Sequence, residues 1–139
     1  MRKAVIPLLL VLVLHGCGIA DEALDFDGAK AAYDAGDYKK AEPAFQRLAK
    51  EGYAPAQYKL GVMYDKGLGI PGNDKLAESW YIKAAVQGYR DAQFNLGVFY
   101  VNKRRDYKQA SAWFQKAAVQ GDVEAQRNLH RLYMEEYGD

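Results

Sequence analysis

Trp80-Tyr-Ile-Lys-Ala-Ala-Val-Gln-Gly88 returns 33 residues later as Trp113-Phe-Gln-Lys-Ala-Ala-Val-Gln-Gly121, differing only at its second and third positions. A match of that length within 139 residues marks an internal repeat. A shift of 36 places Ala56-Gln57 on Ala92-Gln93, Leu60-Gly61 on Leu96-Gly97, Tyr64 on Tyr100 and Gly52 on Gly88. A further shift of 33 carries these positions to Ala125-Gln126, Leu129, Tyr133 and Gly121.

A period of this size belongs to an array of helix pairs. Ala56, Leu60, Met63 and Tyr64 form a stripe along one helical face, and Ala77, Trp80, Tyr81, Ala84 and Ala85 do the same in the following segment. Gly88 and Gly121 supply the left-handed residue that ends a helix without a Cβ clash. Asp106 and Gln109 have capping-box spacing, and Asp122 can cap the last helix. The nine repeated residues are therefore the second helix of a pair together with its stop. One pair alone leaves an apolar face wet, and a stacked copy covers it. Gly61, Gly97, Ala77 and Ala110 allow close helix approach, with Trp80 and Trp113 expected to fill the space beside them. If so buried, either tryptophan costs about 3–5 kcal/mol when cut to alanine.

The run Ala56-Gln-Tyr-Lys-Leu60-Gly61-Val-Met-Tyr64, then Gly67-Leu-Gly69, then Ala77, Trp80-Tyr81, Lys83-Ala84-Ala85 and Gly88, resembles a Sel1-like repeat, a relative of the tetratricopeptide repeat. Upstream, Ala32-Tyr33, Gly36-Asp37-Tyr38, Ala41, Phe45, Ala49 and Gly52 resemble a tetratricopeptide unit, with Pro43 as a departure that removes a helical hydrogen bond and invites a kink. Downstream, Asp122 to Tyr133 resembles the first helix of a further unit, with His130 where glycine is expected and a polar surface suited to a cap. The expected fold is an all-α right-handed solenoid of about seven helices. Its expected division is a signal peptide at 1–20, a short acidic linker at 21–28, a tetratricopeptide-like unit at 29–53, Sel1-like repeats at 54–89 and 90–121, and a capping helix at 122–139.

The resemblance implies a scaffold that binds proteins or peptides. Positions two before and two after the repeat leucine resemble the ligand-facing set of tetratricopeptide repeats: Tyr58 and Val62, Phe94 and Val98, Arg127 and Arg131. Such a track suits an extended peptide with an apolar stretch and an acidic end. The same aromatics would also serve as packing residues between helices, or as a platform for a cell-wall glycan.

The first twenty residues are of another kind. Arg2 and Lys3 precede an apolar run from Ala4 to Leu14, followed by Gly16, Cys17, Gly18 and Ala20. This is the pattern of a secretory signal, and the run is too short to span a ~30 Å hydrocarbon core. Leu14-His15-Gly16-Cys17 resembles a bacterial lipobox, which implies a lipid on Cys17, while Gly18-Ile19-Ala20 before Asp21 also suits ordinary signal cleavage. Gly18 lacks the aspartate that resembles an inner-membrane retention signal, so an outer-membrane anchor in the periplasm is implied, with a soluble periplasmic or secreted product otherwise. Cys17 is the only cysteine, so the exported body holds together by packing alone.

Loss of Arg2 and Lys3 leaves 17 of the 19 basic residues against 18 acidic ones, a balance without a field for nucleic acid. Lys103-Arg104-Arg105, the dense basic cluster, reads as a solvated loop. With His130 the only histidine beyond the signal, no Ser/His/Asp set, Cys/His dyad or histidine metal site can be assembled. No catalytic, metal or cofactor residue is assigned. Gly67-Leu-Gly-Ile-Pro-Gly72 follows a helix C-terminus, where the dipole disfavours phosphate, and reads as a turn that the next unit replaces with Val101-Asn-Lys-Arg-Arg105.

Overall fold

The structure, a computed structural model, describes residues 24–138. The signal segment, Cys17 and residues 21–23 of the expected linker lie outside the described residues. Among the described residues seven α-helices follow in order: α1 Phe26–Asp34, α2 Tyr38–Lys50, α3 Ala54–Lys66, α4 Asp74–Val86, α5 Arg90–Phe99, α6 Tyr107–Val119 and α7 Val123–Tyr137, with a π-helical turn Tyr100–Arg104 extending α5. No strand occurs among the described residues. Each helix packs chiefly against its neighbours in sequence, which makes an all-α solenoid.

Short polar side chains start most of these helices. Asp25, Asp37, Asn73, Asp106 and Asp122 each accept a hydrogen bond from the backbone N–H three residues on, satisfying a donor that has no partner within its helix. The recurring stop follows α2, α4 and α6, where Gly52, Gly88 and Gly121 hold φ of 93°, 87° and 89°. An added Cβ would be strained at these angles. The first helix reaches further back than its sequence suggests. It takes in residues 26–28 of the expected linker, because Asp25 caps it and the Phe26 ring packs 5.8 Å from Phe45 and 5.1 Å from Tyr53. Pro43 stands exposed inside α2, which remains one helix on both sides of it.

The core forms two clusters. Ala29, Ala41, Phe45, Leu60 and Met63 anchor the N-terminal one, while Tyr81, Leu96, Phe99, Phe114 and Leu132 anchor the other. Tyr33, Tyr64 and Leu68 pack against both, so the clusters form a continuous apolar spine.

The spine depends on how closely the helices of a pair approach. A Cβ built on Gly61 would stand 2.7 Å from the Tyr81 ring, and one on Gly97 would stand 2.6 Å from the Phe114 ring. Each glycine of a first helix is thus the floor on which an aromatic of the second helix lies. The expectation that Trp80 and Trp113 fill this space is corrected. Tyr81 and Phe114, one residue later, are fully buried, whereas both tryptophans are half-buried with Lys83 and Lys116 ammonium groups 4.2 and 4.9 Å from their ring centres. A step of one residue turns a helical side chain by about 100°, enough to move the neighbour from the floor to the flank.

Burial then ranks the two positions. Phe114→Ala should lower unfolding free energy by about 3–5 kcal/mol, and Trp113→Ala by roughly 1–2 kcal/mol because part of its surface is already wet. Urea unfolding followed by circular dichroism gives both values, and an equal or reversed order would contradict this packing.

Candidate binding surface

The six positions expected to face a ligand all lie along one edge of the first-type helices, with Tyr58 and Val62 on α3, Phe94 and Val98 on α5, and Arg127 and Arg131 on α7. The structure gives them different surroundings. The Tyr58 hydroxyl accepts a hydrogen bond from Asn95 Nδ2 of α5 at 3.3 Å, and its ring lies 5.4 Å from Tyr89 and 6.3 Å from Tyr81. This burial pushes the pKa of its hydroxyl up to about 12. Phe94 is half-buried with its ring 5.8 Å from Phe114, and Val98 packs on the C-terminal cluster. Val62 is only 5% exposed and presents no surface to a partner, which removes it from the expected track.

At the same register α7 carries arginines, and these are exposed. Arg127 pairs with Glu124 at 2.6 Å, and Arg131 donates to Asn128 Oδ1 at 2.7 Å. Tyr58 packs against the following unit and Phe94 against the second helix of its own unit, and the charged members lie on α7, the last helix described. The expected continuous track of aromatics, valines and arginines is therefore divided into a packed apolar part on α3 and α5 and an exposed charged part on α7.

Around the packed part runs a polar margin. The Lys59 ammonium lies 4.5 Å from the Tyr33 ring centre and 5.8 Å from that of Tyr58, joining α1 to α3. Partial burial holds its pKa below the usual lysine value. Arg90 reaches Asp91 at 3.1 Å and Asp122 at 3.8 Å, joining the start of α5 to that of α7.

The basic cluster after α5 is engaged rather than simply solvated. Lys103 meets Asp74 at 3.2 Å and Asp65 at 3.9 Å, while Arg104 meets Glu78 at 2.5 Å. The Tyr100 hydroxyl donates to the same Glu78 at 2.9 Å. The π-helical turn, ended by Arg105 at φ 56°, swings these cations back onto the preceding unit and neutralises its acidic face. Among the described residues, no three His, Cys, Asp or Glu side chains gather as a metal-binding group.

A glutamine relay is the feature that the sequence reading missed. Buried Gln57 and Gln93 each donate at 3.1 Å to a carbonyl of the preceding helix, Ala49 and Ala85 respectively. Their side-chain oxygens in turn accept from Gln87 at 2.8 Å and Gln120 at 2.7 Å. The same Gln87 and Gln120 amides also donate to the Gly52 and Gly88 carbonyls at 3.0 Å. The signal was present in the Ala-Gln and Gln-Gly pairs that recur with the repeat, but their partner was visible only in three dimensions.

The model of the Sel1 repeat matches residues 54–89 and 90–122. The two central helix pairs are Sel1 repeats. The solved Sel1 repeat protein from Oxalobacter formigenes is similar at 33% identity and a TM-score of 0.76, over 81% of this chain and 47% of that one. The protein c5321, a protective antigen present in uropathogenic Escherichia coli strains and displaying an SLR fold, is similar at 31% identity and a TM-score of 0.75, over 79% of this chain and 25% of that one. This chain thus spans about half and a quarter of the two solved structures. No curated protein matches it. Sel1 repeats form a non-catalytic scaffold family that generally mediates protein–protein interaction.

The Sel1 relay has a measurable weight. Gln120→Ala removes two hydrogen bonds and leaves the buried Gln93 oxygen without its donor, so it should cost about 1–3 kcal/mol. Gln126→Ala removes a bond from an exposed amide and should cost less than about 1 kcal/mol. Chemical denaturation checks the pair, and equal costs would contradict a buried relay.

Proposed function

We propose that this chain is a non-enzymatic adaptor of the bacterial cell envelope, exported by its N-terminal signal and held at the outer membrane by a lipid on Cys17. The pair of Sel1 repeats carries the adaptor reading, because a stack of this kind offers shaped surface rather than a chemical centre. The envelope reading rests on the sequence of residues 1–20, with its basic start, its apolar run and Gly16-Cys17.

A glycan platform built on Tyr58 and Phe94 would need both ring faces open. Their half-buried packing against Tyr81, Tyr89 and Phe114 favours protein partners over that alternative. Arg127 and Arg131 stay in the proposal as exposed cations able to meet an acidic partner, and Tyr58, Phe94 and Val98 as edges of the same surface.

Metabolic labelling with a clickable palmitate analogue in a Gram-negative host tests the anchor. The wild-type chain should take up label and float with outer-membrane vesicles, while Cys17→Ser should take up none and remain with the soluble fraction. An unlabelled wild-type product released in soluble form would overturn the lipid anchor.

A further inference from the structure

The second-type helices α2, α4 and α6 bury one face and turn the opposite one to solvent. On α4 the buried face is Ala77, Tyr81, Ala84 and Ala85, and at about 100° per residue the opposite stripe holds positions 75, 79, 83 and 86. The repeat carries that stripe to 39, 43, 47 and 50 on α2 and to 108, 112, 116 and 119 on α6, and every one of these residues is exposed. Its first and third positions are cations in each copy: Lys39 and Arg47, Lys75 and Lys83, Lys108 and Lys116. The fourth is Lys50 on α2, then Val86 and Val119, which are 67% and 74% exposed. Seven cations and no carboxylate therefore share one stripe of a chain whose acidic and basic residues nearly balance.

We infer that this stripe is a docking face for an anionic phospholipid bilayer. A solvated helix face ordinarily mixes both signs of charge in i, i+4 pairs. Here the carboxylates within the same helices lie beside the stripe and are held there, Asp74 by Lys103, Glu78 by Arg104 and Glu42 by Gln46. Within the stripe, among the described residues, only Arg47 has a carboxylate of its own, Glu51 at 3.4 Å. The near-neutral charge of the whole chain thus hides a face of one sign, which is complementary to a surface of the other.

The uncharged neighbours favour a bilayer over other polyanions. Val86 and Val119 stand among the lysines, and the half-buried rings of Trp80 and Trp113 flank them under the Lys83 and Lys116 ammonium groups. Apolar tips and rings set between flexible cations are the side chains that settle at a headgroup boundary. A nucleic-acid face would need polar side chains to position phosphates or open rings to stack bases. The remaining members of the stripe are Pro43, Ser79 and Ala112, and the tryptophan faces are taken by lysines. Contact of this kind is reversible and screened by salt, so an unacylated Cys17→Ser chain still fractionates as soluble, and the docking face is independent of the anchor.

The full chain carrying Cys17→Ser is mixed with vesicles of phosphatidylglycerol and phosphatidylcholine, and with vesicles of phosphatidylcholine alone, so that any contribution of the apolar run at 4–14 is common to both. Sedimentation should show binding at least about tenfold tighter to the anionic vesicles, falling away as salt is raised towards about 1 M. Lys39→Gln, Lys75→Gln and Lys108→Gln together should weaken it about tenfold to a hundredfold. Lys30→Gln, Lys66→Gln and Arg127→Gln make the same charge change on first-type helices and should weaken it less than about threefold. Trp80 and Trp113 are the two tryptophans of the chain, so acyl chains brominated near the headgroup should quench its emission. Equal binding to both vesicles, equal losses in the two triple variants, or unquenched emission would each overturn the docking face. A DNA duplex held more tightly than the anionic vesicles would assign the cations to another polyanion and overturn it as well.

Discussion

Everything in this solenoid depends on an aromatic ring lying on a glycine. Tyr81 on Gly61 and Phe114 on Gly97 let the two helices of each repeat come closer than any side chain would permit. That approach excludes water from Ala77, Ala84, Ala92 and Ala110, residues too small to build a core at ordinary helix spacing. A core built largely of alanine works here only because the glycine floor brings the backbones together.

The glutamine relay follows from the same closeness. With backbones this near, the carbonyls at each helix stop fall within reach of an amide from the next pair. Gln57, Gln93, Gln87 and Gln120 use that reach to fix the register between pairs as well as within them. Polar groups buried in this way are acceptable only when every member is satisfied, and among the described residues no buried side-chain polar atom lacks a partner. The ring on glycine sets the distance, and the relay sets the alignment.

Much of the fold was legible because a repeat states its own rules twice. The period, the glycine stops and the aspartate caps could be read from residues 56 to 122 and appear in the structure at those places. Two things could not be read. A tryptophan and the aromatic next to it look alike as candidates for the floor, and only the direction of the side chain separates Trp113 from Phe114. The start of α1 was hidden because Phe26 finds its partners, Phe45 and Tyr53, nineteen and twenty-seven residues away. The expected ligand track was harder still. Its positions share a register, yet Val62 is buried in the C-terminal cluster while Arg131, on the last helix described, is exposed. Repetition reveals which positions are equivalent, but not how far each copy of a position is buried.

The most direct test of the aromatic-on-glycine account is a double-mutant cycle between Gly97→Ala and Phe114→Ala, read by urea unfolding. Alone, Gly97→Ala should destabilise by about 1–3 kcal/mol through overpacking against the ring. With Phe114 already cut to alanine, the same change should be neutral, or stabilising by up to about 1 kcal/mol through helix propensity. An effect of Gly97→Ala that is the same in both backgrounds would mean that the ring does not rest on the glycine, and the account would fail.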